Sequence, residues 1–279
     1  MKNVRLIVTD MDGSFVIDKE RICPENIEAV AAAREAGILV CACTARLWPM
    51  ARGQVREAGF NELTVVSNGG AIVDNRDGTV IERSLIPEED VERMIRMGMA
   101  HEANVGLYTH GLLPYLPADM QGPSPYDNYR KRWSTWRREL CTPAARCENV
   151  DQMMIMGGFE TELVEMMSDK PLQWTEEEQA YLSRFSTTGV SDRVIFFLNP
   201  GVDKADWLRR LAARYGIPRE QVMTIGDNAN DVAMLEWAGF SAVVGNATRE
   251  AKAAADIVVA DNDKGGAAEA IYRVLEAKK

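Results

Sequence analysis

The chain contains few of the residues on which several classes of protein depend. Its 279 residues include five cysteines and two histidines, and acidic residues outnumber basic ones to give a net charge of −10. An odd, small set of cysteines argues against a disulfide framework and fits a reducing cytoplasm. The acidic balance argues against a general nucleic-acid binder and against a protein of anionic membrane surfaces.

Long apolar runs are absent as well. No run approaches the ~20 residues that a membrane-spanning helix needs, and the N-terminus enters an apolar strand without the pattern of a signal peptide. We therefore expect a cytoplasmic protein with no membrane partner. A hydrophobic content of 46% over this length is enough for sizeable cores, in one large domain or, as the pattern below favours, in two.

The most informative feature that is present is a pair of acids spaced one residue apart. Asp10 and Asp12 follow the apolar run Leu6–Thr9, which is typical of a buried strand that ends before Gly13. Because side chains two apart on an extended segment point to the same side, both carboxylates are expected at the carboxyl edge of a sheet, where open α/β folds bind ligands. Taken alone, the same residues also fit a solvated Asp-Gly turn.

A second acidic cluster lies far downstream. Asp227 follows the apolar run 222–226, and Asn230 and Asp231 come at the start of a predicted helix. If the two clusters meet across neighbouring parallel strands, each pair of carboxylates about 4 Å apart costs on the order of 4 kcal/mol. A hard divalent cation relieves that repulsion, and Mg²⁺ prefers a few carboxylates together with water and phosphate oxygens. We therefore expect a magnesium site.

Two further segments carry groups that can donate to a phosphoryl group. The apolar strand 38–43 ends in Thr44, Ala45 and Arg46, which offer a hydroxyl, backbone amides and a guanidinium. Lys204 stands where a loop becomes a helix. Taken alone, Thr44 also fits a residue that caps the next helix. Lys204, taken alone, also fits a solvated lysine on the surface.

The order of these segments resembles the four motifs of the haloacid dehalogenase (HAD) superfamily. Two further segments resemble its Cof-type subfamily, whose cap is inserted between the second and third motifs. The four motifs are 10–14, 44–46, Lys204 and 226–231, and the two further segments are 67–71 and 245–247. The resemblance spans residues 1–83 and 190–279, and it is specific because four separated motifs agree in order and spacing.

The chain departs from the family pattern at four positions, one of which is Phe15 where leucine is usual. Ser14 stands where threonine is usual and keeps the hydroxyl, whereas Ala45 and Ala205 add a methyl group where glycine is usual. The two alanines are expected to tighten or reshape the phosphate loop. None of the four changes removes a group that takes part in the chemistry, so the resemblance implies an intact site.

The resemblance implies a phosphatase mechanism. Asp10 would attack phosphorus and form an aspartyl-phosphate, while Asp12 would protonate the leaving oxygen and then deprotonate the hydrolytic water. The implied catalytic set is Asp10, Asp12, Thr44 and Lys204. The implied metal ligands are Asp10, Asp12 through its carbonyl, Asp227, and Asp231 either directly or through a bound water. The implied substrate-binding set is Arg46, Ala45, Asn68, Gly69 and Asn230.

The implied fold is α/β, with a Rossmann-like doubly wound parallel sheet as the core and an inserted α+β cap. We expect the core over 1–83 and 190–279, resuming with the strand Val194–Leu198, and the cap over 84–189. Within the cap, aromatic and basic residues are interleaved over 126–138. One interpretation is that they select the substrate above the site. The other is that they form an amphipathic helix with its aromatic stripe in the cap core. Runs of charged residues usually face solvent, which favours the second interpretation.

The expected activity is Mg²⁺-dependent hydrolysis of a small phosphorylated metabolite, such as a sugar phosphate or a similar monoester. A phosphomutase of related fold, such as a phosphomannomutase, would instead need activation by a bisphosphate. A binding or regulatory protein without turnover is a third interpretation. The pair Asp10 and Asp12 argues against it, because a binder gains nothing from a general acid.

Overall fold

The chain folds as two units, of which the first is assembled from both ends of the sequence. The computed structural model describes residues 3–18, 20–101, 103–109, 112–114, 147–157, 171–188 and 193–278. Residues 1–82 and 203–279 form the first unit, and residues 83–202 form the second.

Strands and helices alternate along much of the described chain. The N-terminal part contains β1 (Leu6–Thr9), β2 (Val16–Ile17), β3 (Arg21–Ile22), α1 (Pro24–Glu35), β4 (Leu39–Cys43), α2 (Trp48–Glu57), β5 (Leu63–Val66), β6 (Ala71–Asp74) and β7 (Val80–Arg83). The middle part contains α3 (Glu88–Ala100), β8 (Asn104–Tyr108), β9 (Leu112–Pro114), β10 (Gln152–Met156), α4 (Glu176–Leu182), β11 (Ser186–Thr188) and β12 (Val194–Leu198). The C-terminal part contains α5 (Lys204–Arg214), β13 (Val222–Gly226), α6 (Val232–Trp237), β14 (Phe240–Val243), α7 (Arg249–Ala254), β15 (Ile257–Val258) and α8 (Gly266–Lys278).

Eight of the described strands form one sheet, in the order β15-β14-β13-β1-β4-β5-β6-β7. β1 lies between β13 and β4 and runs parallel to both. In this order, all neighbouring strands from β15 through β5 run parallel to each other. The next strand, β6, runs antiparallel to β5. All four side chains of β1 are buried, as expected for a strand covered on both faces. This sheet is the core that the sequence predicts.

Helices cover the sheet on both faces. α1 begins with Pro24, whose missing amide hydrogen costs nothing in the first turn of a helix. α1 contacts α8, and Val30 and Ile271 from these two helices pack into the same core cluster as the inner strands. α5 contacts β5 on the other face and buries Trp207 and Leu208 completely. This packing positions the N-terminus of α5 close to the carboxyl edge of the sheet.

The second unit is built on an antiparallel sheet. Its described strands follow the order β11-β12-β10-β8-β9. Alternate side chains of β8, β10 and β12 pack in one core with α3 and α4, among them Leu107, Ile155 and Phe197. The predicted fold class, a mostly parallel α/β core with an inserted α+β cap, is therefore confirmed.

The expected return of the chain to the core at residue 190 is wrong. The strand Val194–Leu198 pairs antiparallel with β10 and β11 in the second unit, and the first unit resumes only at Asp203. Its five apolar residues lack the alternation that distinguishes a half-buried strand from a fully buried parallel one. The choice of strand partner depends on residues distant in sequence, which a local pattern does not reveal.

One expectation for the second unit, the aromatic and basic segment 126–138, lies outside the described residues. Among the residues that the structure does describe, no helix combines the length and the apolar character needed to cross a bilayer.

Candidate active site

Three of the predicted site residues directly follow neighbouring parallel strands. Asp10 follows β1, Thr44 follows β4 and Asp227 follows β13. The register of β1 and β13 aligns Thr9 with Ile225, and the Asp10 amide continues this ladder by donating to the Ile225 carbonyl at 2.8 Å. The two ends of the chain therefore meet at the carboxyl edge of the sheet.

Three carboxylates converge at this edge. One oxygen each from Asp10, Asp227 and Asp231 lies within 4.8 Å of the other two. A six-coordinate Mg²⁺ with ligands at about 2.1 Å holds neighbouring oxygens about 3 Å apart and opposite ones about 4 Å apart. The spacing and the hard oxygen donors therefore fit a divalent cation. The carboxylate of Asp12 is not in this cluster, and ligation through its carbonyl stays a prediction.

Lys204 is the first residue of α5 and joins two of these acids. Its Nζ lies 2.5 Å from Asp10 Oδ1 and 2.5 Å from Asp231 Oδ1, and its side chain is 1% exposed. The Asp203 carboxylate caps the helix by accepting from the Asp206 amide at 2.7 Å, which fixes where α5 begins. The interpretation of Lys204 as a solvated surface lysine is therefore wrong.

Burial and charge shift the pKa values of these groups. Burial alone would lower the pKa of Lys204, but the carboxylates of Asp10 and Asp231 outweigh it and hold that pKa above its ordinary value. Burial raises the pKa of Asp10 well above its ordinary value, and Lys204 opposes the rise. Burial likewise raises the pKa of Asp227 to about 6, against the hydrogen bond from Ser14. A bound cation would favour the ionised form of these carboxyls.

Asp231 is held in a single orientation. Its side chain is fully buried, and its Oδ2 accepts from the backbone amides of Asp227 and Asn228 at 2.9 Å and 3.0 Å. Its other oxygen accepts from Lys204. Asp231 thus connects the loop after β13 to the start of α5.

Ser14 contacts the acidic cluster from the loop after β1. Its side chain is buried, and its hydroxyl donates a hydrogen bond to Asp227 Oδ1 at 2.7 Å. The two residues are 213 positions apart in the sequence. The neighbouring Gly13 has φ +85°, and a Cβ there would lie 2.5 Å from Asp227 Oδ2. Sequence reasoning treated Ser14 only as a mild substitution. The available signal was that a hydroxyl is kept at this position.

Arg46 contacts a carboxylate that the sequence assigned to proton transfer. Its Nε donates to Asp12 Oδ2 at 2.7 Å and its Nη2 donates to Asp12 Oδ1 at 2.6 Å. The Arg46 side chain is 7% exposed, whereas that of Asp12 is 39% exposed. The structure therefore brings together two predicted site residues, and binding of the substrate by Arg46 stays a prediction.

Thr44 and Ala45 form the turn that carries Arg46. Thr44 is buried, and its hydroxyl accepts from the Arg46 amide at 3.1 Å, so it does not cap the helix that begins at Trp48. Ala45 is exposed. The proposed donation from these residues to a phosphoryl group stays a prediction.

The segment Ser67–Gly69 brings two more predicted residues to the same edge. Asn230 donates from Nδ2 to Asn68 Oδ1 at 3.2 Å. Gly69 has φ +99°, and a Cβ there would lie 2.7 Å from Trp207 Cδ1 of α5. The Asn68 amide donates to the Thr44 carbonyl at 3.0 Å. This segment thus ties the loop after β4 to the loops around α5 and α6.

Comparison with known proteins identifies the family. The family described as haloacid dehalogenase-like hydrolase matches residues 7–271, and the chain belongs to it. A Bacillus subtilis protein, 5-amino-6-(5-phospho-D-ribitylamino)uracil phosphatase YcsE, is 24% identical over 96% of this chain and 95% of its own length. Pyridoxal phosphate phosphatase YbhA of Escherichia coli is 26% identical over 97% and 98%, respectively.

A solved structure agrees with the fold. A haloacid dehalogenase-like hydrolase from Bacteroides thetaiotaomicron superposes with a TM-score of 0.75 at 23% identity, and the match covers 97% of this chain and 99% of that one. The predicted family, with its Cof-type cap insertion, is confirmed. The predicted enzyme class, a HAD-type phosphoric monoester hydrolase, is also confirmed.

Proposed function

We propose that the chain hydrolyses a small phosphate monoester, such as a sugar phosphate, with Mg²⁺ and through an aspartyl-phosphate on Asp10. The observation that carries the proposal is the convergence of Asp10, Asp227 and Asp231 within 4.8 Å, next to the buried ammonium of Lys204. A structural salt bridge needs one carboxylate for one ammonium. Three acids around one lysine leave an excess negative charge that suits a cation.

Asp10 is the nucleophile in this proposal. Its carboxylate would attack phosphorus in line with the leaving oxygen, and the P–O bond to that oxygen would break. A Mg²⁺ ion held by Asp10, Asp227, Asp231 and the Asp12 carbonyl would neutralise charge on the nucleophile and on the phosphoryl oxygens. Lys204 would hold the Asp10 carboxylate in place and offset negative charge as the phosphoryl group approaches.

Asp12 moves the proton. Protonated, it would give its proton to the leaving oxygen as that oxygen departs, and it would take one back from the water that hydrolyses the aspartyl-phosphate. Its side chain is 39% exposed against 8% for Asp10, which suits a group that meets both the leaving group and water. Thr44 and Asn230 would donate to the remaining phosphoryl oxygens.

The substrate class rests on relatives and on composition. The two relatives described above are named for phosphorylated metabolites of modest size, which supports a small phosphate monoester here. A net charge of −10 requires local positive charge for an anionic substrate, and Lys204 with the cation would supply it. We propose no nucleic-acid or membrane partner.

We also place the enzyme in the cytoplasm. Four of its cysteines lie in the described residues, and all four are free thiols. Burial raises the pKa of Cys41 and of Cys43 to about 12, which keeps both thiols protonated and unreactive. Free, unreactive thiols fit a reducing compartment.

A phosphate-release screen tests the proposed function. Phosphorylated metabolites, including hexose phosphates and pyridoxal phosphate, are incubated with the enzyme and Mg²⁺, beside a generic aryl phosphate. We expect steady release from at least one metabolite, abolished by EDTA and in Asp10→Asn but retained in Asp263→Asn, which removes an exposed carboxylate. Release from no compound would contradict the proposal. Interconversion of sugar phosphate isomers that depends on a bisphosphate would favour a phosphomutase.

A further inference from the structure

The guanidinium of Arg46 is engaged on three sides by protein acceptors. Nε and Nη2 donate to the two oxygens of Asp12 at 2.7 Å and 2.6 Å, and Nη1 contacts the Met50 carbonyl at 3.5 Å. With a side chain that is only 7% exposed, Arg46 has little surface left for a phosphoryl group. Its neighbours therefore point to a role other than substrate binding.

The backbone of Arg46 is fixed as firmly as its side chain. Its amide donates to the Thr44 hydroxyl at 3.1 Å, and its carbonyl accepts from the Ser67 amide at 2.9 Å. Arg46 thus stands on a rigid turn at the end of β4. A side chain supported in this way can hold a partner in one place.

Asp12 needs such support. It follows β1 in a loop where Gly13 adopts φ +85°, and its side chain is the more exposed of the two partners. A two-pronged arginine contact fixes both the position and the plane of a carboxylate. Each carboxylate oxygen has two acceptor sites, so the contact leaves one site on each oxygen, which can carry the proton given to the leaving oxygen or accept a proton from a water.

We propose that Arg46 is a positioning residue that holds Asp12 in the orientation required for proton transfer to the leaving oxygen. This inference rests on the proposed function. It replaces the expectation that Arg46 binds the phosphoryl group. Arg46 acts through Asp12 and takes no part in bond formation itself.

The two roles predict different responses to the leaving group. An alkyl phosphate expels a strongly basic alkoxide, which must be protonated as it departs. 2,4-Dinitrophenyl phosphate expels a stable phenolate that needs no proton. A residue that positions the general acid matters only for the first ester, whereas a residue that binds the phosphoryl group matters equally for both. The ratio kcat/KM reports the steps up to formation of the aspartyl-phosphate, so the later use of Asp12 as a base does not enter it.

The experiment compares Arg46→Ala with the wild-type enzyme on these two esters in Mg²⁺. We expect kcat/KM for the alkyl phosphate to fall roughly 100-fold, as expected when general acid catalysis is lost, and for dinitrophenyl phosphate to change less than threefold. Inhibition by inorganic phosphate should stay within twofold of the wild-type value. Combining Arg46→Ala with Asp12→Asn should add little to the loss caused by Asp12→Asn alone.

Two further variants serve as controls. Arg46→Lys keeps the charge but loses the two-pronged contact, and it should restore part of the alkyl phosphate activity; it also replaces Arg46→Ala if that variant does not fold. Arg210→Ala removes an arginine of the same unit that pairs with Glu82 and Asp206, and it should leave the ratio of the two esters unchanged.

A loss of equal size for both esters, or weaker inhibition by phosphate, would overturn the inference and return Arg46 to phosphate binding. No loss for either ester would overturn it as well. A wild-type enzyme that hydrolyses neither these esters nor any compound of the phosphate-release screen would instead refute the proposed function. The two failures are therefore distinguishable.

Discussion

Lys204 donates a hydrogen bond to Asp231 over 2.5 Å, and both side chains are almost completely buried. The same ammonium lies 2.5 Å from Asp10. Removing one partner of a buried ion pair leaves an uncompensated charge, which is more costly than the pair itself is stabilising. The ammonium of Lys204 is therefore expected to stabilise the first unit.

We expect Lys204→Met to lower the free energy of unfolding by roughly 3 to 5 kcal/mol in EDTA, because Asp10 and Asp231 would face each other without a counter-charge. Mg²⁺ should stabilise the variant more than the wild type, since the ion would supply the missing charge. Urea unfolding with and without Mg²⁺ measures both effects. Lys264→Met is the control: its pair with Asp261 is exposed, so little change is expected. A Lys204→Met variant as stable as the wild type in EDTA would contradict the prediction.

Ser14 provides a second test through the hydrogen bond that it donates to Asp227 at 2.7 Å. Loss of a hydrogen-bond partner behind a metal ligand typically weakens metal affinity by 10- to 100-fold. We expect Ser14→Ala to raise the Mg²⁺ concentration for half-maximal thermal stabilisation by about tenfold, and Ser14→Thr, which keeps the hydroxyl, to stay close to the wild type.

The matched control for Ser14→Ala is Ser183→Ala. Ser183 is exposed, and its hydroxyl donates to the Ala180 carbonyl in the second unit. Its Mg²⁺ response should equal that of the wild type. If Ser14→Ala also responds like the wild type, Ser14 does not hold the metal ligand.

Gly69 allows a close approach that no other residue permits. A Cβ there would lie 2.7 Å from Trp207 Cδ1 and 2.9 Å from the Asp203 carbonyl oxygen, and φ is +99°. Gly37 has φ +74° with nothing within 4 Å of a Cβ. We expect Gly37→Ala to cost roughly 1 to 2 kcal/mol of backbone strain and Gly69→Ala to cost about 1 to 3 kcal/mol more from overpacking. Chemical unfolding of the two variants measures the difference; equal losses would mean that the steric contact is relieved at no cost.

The core of the site was predictable because its signals are local. Asp10, Thr44 and Asp227 each come directly after an apolar run, and parallel strands place their carboxyl ends at one edge. Expecting these residues together required one long-range assumption, namely that the strands are neighbours in the sheet. α4 was missed, although Thr175 and Glu178 form a capping box there; its short, acidic sequence lacks an apolar stripe over more than two turns.

The remaining features depend on contacts between distant residues. The orientation of the turn after β4 decides whether the Arg46 side chain pairs with Asp12 or binds a ligand. The hydrogen bond from Ser14 to Asp227 joins residues 213 positions apart. The strand Val194–Leu198 was assigned to the wrong unit for the same reason, since its partner is β10. Residue types predict which groups can interact, but only the folded backbone selects the pairs.

Asp151 in the second unit gives a prediction about pH. Burial raises its pKa to about 8, against the opposing charge of Arg83. Its Oδ1 has no hydrogen-bond partner, and Arg83 Nε lies 3.9 Å from its Oδ2. An unfolded chain releases this proton near pH 4. Between about pH 4 and pH 8 the folded state therefore holds a proton that the unfolded state has lost, and the contribution of Asp151 to stability falls as the pH rises.

We expect Asp151→Asn to remove this pH dependence, because an amide has nearly the same shape and does not titrate. Relative to the wild type, the variant should gain on the order of 3 kcal/mol in free energy of unfolding between pH 5 and pH 7.5, from a slope of about 1.4 kcal/mol per pH unit. Arg83 keeps acceptors in the variant, since it also donates to the carbonyls of Asn149 and Thr109. Urea unfolding of the second unit at the two pH values measures the gain.

The control for this experiment is Asp74→Asn. A hydrogen bond from Arg76 lowers the pKa of Asp74 to about 2, so the stability that Asp74 contributes is complete above pH 4 and is lost only as the pH falls towards 2. Asp74→Asn should therefore destabilise the protein by the same amount at pH 5 and at pH 7.5. An Asp151→Asn variant that behaves in this way would show that Asp151 is ionised in the folded protein throughout this range, with Arg83 compensating for its burial.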